Sequence, residues 1–109
     1  GTPYVWGGYS PSGFDCSGFV SYCLTNSGVR NTGRLTAQGL YNICTPVSQS
    51  EAQPGDLIFF STYEPGASHC GIYLGDGKFI HAGTSTGVVV ADAFTGYWGE
   101  RYYGACRVL

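Results

Sequence analysis

Hydrophobic positions change their period once along this chain, dividing it into a helical first half and a strand-rich second half. Cys16, Phe19, Val20, Cys23 and Leu24 fall at offsets of 0, 3, 4, 7 and 8, one continuous face of an α-helix. Asp15 stands where an N-cap is needed, and Gly28 stands at the C′ position that closes the helix. The pattern therefore places Cys16 in the first helical turn, on the buried stripe, with its sulfur toward the core. Thr36 can cap a second short helix running through Leu40, Tyr41 and Cys44, which Gly39 weakens by about 1 kcal/mol relative to Ala. From Asp56 onward the runs DLIFFS, HCGIYLG, KFIHAG, GVVVADA and RYYGACRVL read as strands. Helices first and strands later predict an α+β domain in which an antiparallel sheet of about five strands packs on the N-terminal helices. The first fifteen residues, rich in Gly and Pro among aromatics, read as an ordered loop.

Both histidines of the chain lie in one candidate hairpin, His69-CGIYL-GDG-KFI-His81. A two-residue Asp76-Gly77 loop would pair Leu74 with Phe79 and set the two imidazoles on opposite faces. A three-residue Gly75-Asp76-Gly77 loop, a type I turn followed by Gly77 in the left-handed region with a G1 bulge, would pair Leu74 with Lys78 and Gly71 with His81. His69 and His81 would then share a face as diagonal neighbours about 7–8 Å apart at Cβ. The residues favour neither turn by themselves. The three-residue loop is the expectation adopted, because a working histidine pair requires it.

A length of 109 residues fits one domain with one core. Charged residues are only 11% against a typical ~25%, while aromatics reach 16%, which excludes a disordered chain. Five basic and seven acidic side chains give a net charge of −2 without any basic cluster, so nucleic acid is not an expected partner. The longest apolar runs, Leu57–Phe60 and Val88–Ala91, fall far short of the ~18–20 residues that span a bilayer, so no membrane insertion is expected. The chain opens at Gly1 without a leader pattern and reads as a mature fragment or a domain excised from a longer chain, any export signal lying elsewhere.

Five cysteines, Cys16, Cys23, Cys44, Cys70 and Cys106, leave at least one thiol unpaired and form no C-x-x-C motif. Cys16 at a helix start has exposed amides and the helix dipole behind it, both of which favour thiolate. A neighbouring His69 would form an ion pair with that thiolate and later protonate a leaving amine, while His81 would orient His69 through its other ring nitrogen. Backbone N–H groups around Cys16 could supply an oxyanion hole. Cys23, Cys44, Cys70 and Cys106 are assigned to packing, with Cys70 pointing opposite to His69 and so away from the catalytic face. Cys16, His69 and His81 with a water could also ligate zinc, but thiol peptidases use the same residues without metal, so no metal or other cofactor is expected.

The runs GTPYVWGGYSPSGFDCSGFV, QPGDLIFF and SHCGIYLGDGKFIHAG, with YYGACRVL at the close, resemble the NlpC/P60 family of cell-wall cysteine peptidases over essentially the whole chain. That resemblance implies a papain-like α+β fold over residues 1–109. It also implies hydrolysis of peptidoglycan stem peptides, typically at the bond between γ-D-glutamate and a diamino acid, by a secreted or cell-surface bacterial protein expected to act as a monomer. Carried over residue by residue, Cys16 corresponds to the nucleophile, His69 to the base, His81 to the third polar member and Tyr4 to a tyrosine beside the nucleophile. Trp6, Asp15, Ser17, Arg34 and Thr36 match positions lining the substrate groove. There Asp15 could receive an ammonium and Arg34 the α-carboxylate of a γ-linked D-glutamate. Asp15 is equally explained as a helix cap, and Ser17, Arg34 and Thr36 have ordinary surface roles open to them. Relatives usually carry an amphipathic helix before G-x-P-Y, where this chain begins.

Two other functions fit the same residues. One is a thiol acyltransferase or amidase acting on another amide, which a ligated product would reveal. The other is a non-enzymatic wall-binding or disulfide-stapled module, in which Cys16→Ala would change nothing.

Overall fold

The computed structural model describes residues 9–10, 13–14, 16–26, 36–62, 66–83 and 87–107. Two helices, α1 (Cys16–Asn26) and α2 (Ala37–Ile43), precede a six-stranded antiparallel sheet, confirming the α+β class. Its strands are β3 (Thr45–Val47), β4 (Leu57–Phe60), β5 (His69–Gly75), β6 (Lys78–Gly83), β7 (Gly87–Asp92) and β8 (Tyr102–Arg107), in the order β3-β8-β4-β5-β6-β7. The expected count of about five is exceeded by β3, which pairs Thr45 with Arg107 and Val47 with Ala105 at the sheet edge despite Pro46. Edge strands tolerate proline because one side of their ladder is unpaired. The opening segment is not loop throughout, since β1 (Tyr9–Ser10) and β2 (Gly13–Phe14) form a separate short hairpin. A third helix, α3 (Gly96–Arg101), lies between β7 and β8 in a segment that carries no periodic signal.

The sheet buries both faces. On one, Val20 and Leu24 of α1 and Leu40 of α2 pack on Leu57, Phe59, Cys70, Ala82 and Cys106. On the other, Ile58, Phe60, Tyr73 and Phe79 form a second cluster covered by Trp98 of α3. This explains why β4 is buried at all four positions, reading as a continuous apolar run where a one-sided strand would alternate. Thr36 caps α2 as expected, its Oγ1 accepting from Gly39 N at 3.0 Å. Cys44 and Cys106 are joined by a disulfide across Cα atoms 5.6 Å apart, tying the end of α2 to β8. Their expected role as packing thiols is corrected. Their 62-residue separation hid a pairing that only the sheet order creates.

The hairpin corrects the expected turn and keeps its consequence. The loop is the two residues Asp76-Gly77, both with positive φ (53° and 75°), the pattern of a type I′ turn. Gly75 pairs with Lys78, whereas Tyr73 pairs with Phe79 and Ile72 with Ile80. One extra residue is therefore accommodated in β5 around Leu74 and Gly75, and the bulge restores the parity that a two-residue loop alone would reverse. Gly75, at φ 94°, takes the bulge position expected at Gly77, which sits in the turn instead.

Asp56 anchors the start of β4. It is buried, and its carboxylate accepts from Arg107 Nε at 2.9 Å and Nη2 at 2.8 Å, a bidentate pair closing β8 onto β4, and from Gln53 N at 2.8 Å. Burial pushes this carboxyl up, but the Arg107 hydrogen bonds, the Gln53 N–H and the Arg107 charge together hold it below its usual value. A lowered carboxyl contributes stability above its unfolded value, near 3.8, and loses it as pH falls through the folded one. Arg107→Ala is therefore expected to lower the urea midpoint at pH 7, with the gap to wild type narrowing below about pH 4. A gap constant from pH 7 to 3 would show that the pair does not brace the fold in this way.

Candidate active site

Cys16 opens α1 and is 4% exposed, on the buried stripe with Phe19, Val20 and Leu24. Its sulfur meets the chain where it enters β5, 3.8 Å from the Ser68 carbonyl oxygen, to which the protonated thiol donates, and reaches the side chains of both His69 and Cys70. The contact with Cys70 overturns the expectation that this residue lies away from the site. Cys70 does point opposite to His69, as strand alternation requires, but α1 approaches the sheet from the Cys70 side. His69 and His81 stand on the other face, with Phe60 and Phe79. His69 reaches the thiol because it is the first residue of its strand.

The two histidines share a face and touch, His69 Nε2 lying 2.9 Å from His81 Nδ1. Gly71 makes room for the pair: a Cβ there would stand 3.0 Å from His81 Cβ and 2.6 Å from both Ile80 O and a ring carbon of Phe79. Both imidazoles are almost fully buried. Aromatic rings surround them. Phe79 stacks on His81 at 4.5 Å, Phe60 lies 6.4 Å from His69, and Trp98 stacks on His69 at 4.7 Å.

These surroundings lower both groups, which favours the charged form of Cys16 and the neutral form of His81. The Cys16 thiol is brought down to about 5, first by a hydrogen bond from the Cys70 side chain, which outweighs the upward push of burial. A hydrogen bond and the charge of His69, then the backbone N–H of Cys70, add to the lowering. Burial, and next the charge of His69, take His81 down to about 4. His81 is thus neutral near pH 7 and offers Nδ1 as the acceptor for a His69 Nε2–H, which leaves His69 Nδ1 for the thiolate. Cys23 differs from Cys16, since burial alone raises its thiol and leaves it an inert packing group.

Among the other expected site residues, Ser17 is 5% exposed on the first turn of α1, and Thr36 is exposed with its hydroxyl engaged as the α2 cap. Tyr4, Trp6, Asp15 and Arg34, and Gly28, expected to close α1, lie outside the described residues. Cys70 and Trp98 are the site residues that sequence reasoning missed. Neither carries a local signal, because each reaches the centre only through long-range packing. Among the described residues no cluster of three His, Cys, Asp or Glu side chains is arranged to hold a metal ion. Nor is any helix among them long and apolar enough to cross a membrane.

A thiol at the start of a helix beside an imidazole from an antiparallel sheet sits here in an α+β, papain-like fold. The NlpC/P60 family model matches residues 1–107, and the chain belongs to that family. It is 45% identical over 107 residues to the probable peptidoglycan endopeptidase LytE of Bacillus subtilis, covering 98% of this chain but 30% of LytE. The chain therefore spans less than a third of that relative. Among solved structures it resembles the NlpC/p60 domain of the peptidoglycan hydrolase SagA, with a TM-score of 0.82 and 38% identity, covering 98% of this chain and 87% of that one. It also resembles RipD of Mycobacterium tuberculosis, described as a non-catalytic NlpC/p60 domain protein adapted to peptidoglycan binding, with a TM-score of 0.80 and 27% identity over 100% of this chain and 88% of that one.

A histidine held neutral in the folded state takes up its proton more readily when unfolded. Its contribution to stability is complete above about 6.5 and is lost as pH falls toward 4. The wild-type urea midpoint is accordingly expected to drop more steeply between pH 6.5 and 4 than that of His81→Asn. Parallel declines would contradict a buried neutral His81.

Proposed function

We propose that this chain is the catalytic domain of an extracytoplasmic bacterial peptidoglycan hydrolase, a thiol endopeptidase that cuts stem peptides through an acyl-enzyme at Cys16. The observation that supports it is that the Cys16 thiol, brought down to about 5, is within reach of His69, whose Nε2 lies 2.9 Å from Nδ1 of a His81 held low by burial. Support for the substrate class comes from LytE and SagA, both named for action on peptidoglycan. Support for an oxidising compartment comes from the Cys44–Cys106 disulfide.

In the proposed reaction the Cys16 thiolate adds to the carbonyl carbon of the γ-D-glutamyl–diamino acid amide, forming a C–S bond. The resulting oxyanion is received by backbone N–H groups at the start of α1. Collapse breaks the C–N bond, and His69 Nδ1–H gives its proton to the departing amine. Water then attacks the thioester while neutral His69 takes its proton, releasing the carboxylic acid and restoring the thiolate–imidazolium pair. His81 accepts from His69 Nε2–H throughout and holds the ring in the productive tautomer. Tyr4, Trp6, Asp15, Ser17, Arg34 and Thr36 remain proposed contributors around this centre, Tyr4 beside the nucleophile and the rest toward the stem peptide.

A binding-only role, as described for RipD, would need no nucleophile, and the depressed Cys16 thiol weighs against it. Incubating the protein with purified stem peptides and identifying products by mass spectrometry decides the matter. A free D-glutamyl γ-carboxylate is expected, whereas a ligated product would indicate acyl transfer and cleavage at a D,D-crosslink would reassign the bond. Cys16→Ala is expected to remove turnover by at least ~10³-fold, and retained activity would overturn the reading. For the wild type, kcat/KM is expected to fall roughly tenfold per pH unit below about 5, as the thiolate is protonated. A flat acid limb down to pH 3 would contradict it.

A further inference from the structure

Among the described residues, Trp98 is the one ring outside the sheet that contacts both histidines: its centroid lies 4.7 Å from His69, nearly parallel at 22°, and 4.8 Å from His81, edge-on at 74°. It also meets Phe60 at 5.0 Å and Phe79 at 5.6 Å, so the indole caps the aromatic bed in which the pair lies. Phe60 and Phe79 are fully buried within the sheet, whereas Trp98 is half-buried on α3 and forms the cover on its side of the pair.

The seat of α3 is built tightly. A Cβ on Gly99 would stand 2.5 Å from the carbonyl carbon and oxygen of Phe94, so only glycine lets the helix close down there. At the far end the Arg101 carbonyl accepts from Ser61 N at 2.8 Å, fastening α3 to the end of β4. Arg101 also donates to the Tyr97 carbonyl at 2.8 Å with its guanidinium over the Tyr97 ring at 3.8 Å, stiffening the turn beside Trp98.

We propose that Trp98 is a positioning residue for the reaction, fixing the His69 ring in the plane where Nε2 meets His81 Nδ1 and keeping water from that hydrogen bond. The stacked indole restricts rotation of the His69 ring and presents its negative face to the imidazolium. Exclusion of water strengthens the 2.9 Å bond and keeps His81 neutral. The indole has no proton to exchange in the reaction, so its part is to hold the imidazole in place. The proposal rests on the reading of His69 as base.

The test compares wild type, Trp98→Phe and Trp98→Leu in the full chain by NMR titration of its only two histidines, and by kcat and KM on stem peptides. Trp98→Leu is expected to raise the His81 midpoint from about 4 by one unit or more toward 6.5, and to lower kcat about 10-fold with KM within about twofold. Trp98→Phe is expected to keep kcat within about threefold of wild type. A folded Trp98→Leu protein with the wild-type His81 midpoint and kcat would overturn the proposal. If that variant does not fold, the wild type still decides. The stacked indole should shift the His69 ring protons upfield and show cross-relaxation with them, and their absence defeats the proposal. Should the wild type release no product while the imidazole titrations still respond to Trp98→Leu, the endopeptidase reading fails and the role of Trp98 toward the pair stands.

Discussion

Contact between a thiol at the start of α1 and an imidazole at the start of β5 is the constraint on which the rest of this structure bears. The two groups come from opposite sides of the sheet, the thiol with the helix-side core and the imidazole with the aromatic cluster beyond. They meet only where the strand begins, at Ser68, His69 and Cys70, three consecutive residues that all contact Cys16. Such a junction needs both cores to be well packed, because a shift of either layer opens the contact. The Asp56–Arg107 pair and the Cys44–Cys106 disulfide fasten β8 to β4 and to the end of α2, bracing the layers against one another.

Much of this was legible in the residues. The 3.6-residue stripe from Cys16 to Leu24 marks α1, which buries one face, and the apolar runs from Leu57 onward mark the central strands, of which β4 is buried on both. The hairpin shows where such reading ends. If the histidines are to share a face, parity requires one extra residue between their registers, but an Asp-Gly dipeptide with a preceding glycine can place that residue in the turn or in the strand. The structure puts it in β5 at Leu74 and Gly75 and keeps the two-residue turn. Local sequence cannot separate the two, since the same residues satisfy the same parity either way.

What escaped has a common cause. Cys70 was read from strand alternation, which tells which way a side chain points but not from which side a helix arrives. Trp98 sits 29 positions from His69 in a segment without periodicity, and its importance exists only after β7 and β8 have brought α3 over the pair. The Cys44–Cys106 link and the edge strand β3 likewise follow from sheet order, to which Thr45, Pro46 and Val47 contribute no alternating pattern of their own. Local patterns specify elements and the place of Cys16 on one of them. The electrostatic setting of that thiol comes from groups assembled at long range, as in the Cys70 and His69 hydrogen bonds that bring it to about 5.

The central claim is that this assembly holds Cys16 as a thiolate, and the rate at which iodoacetamide alkylates Cys16 as a function of pH, followed by peptide mass spectrometry, tests it most directly. An inflection near pH 5 is expected in the wild type, moving up toward 9 when His69→Ala removes the imidazole. A wild-type inflection already near 9, unmoved by His69→Ala, would show that the sulfur and the imidazole do not act together.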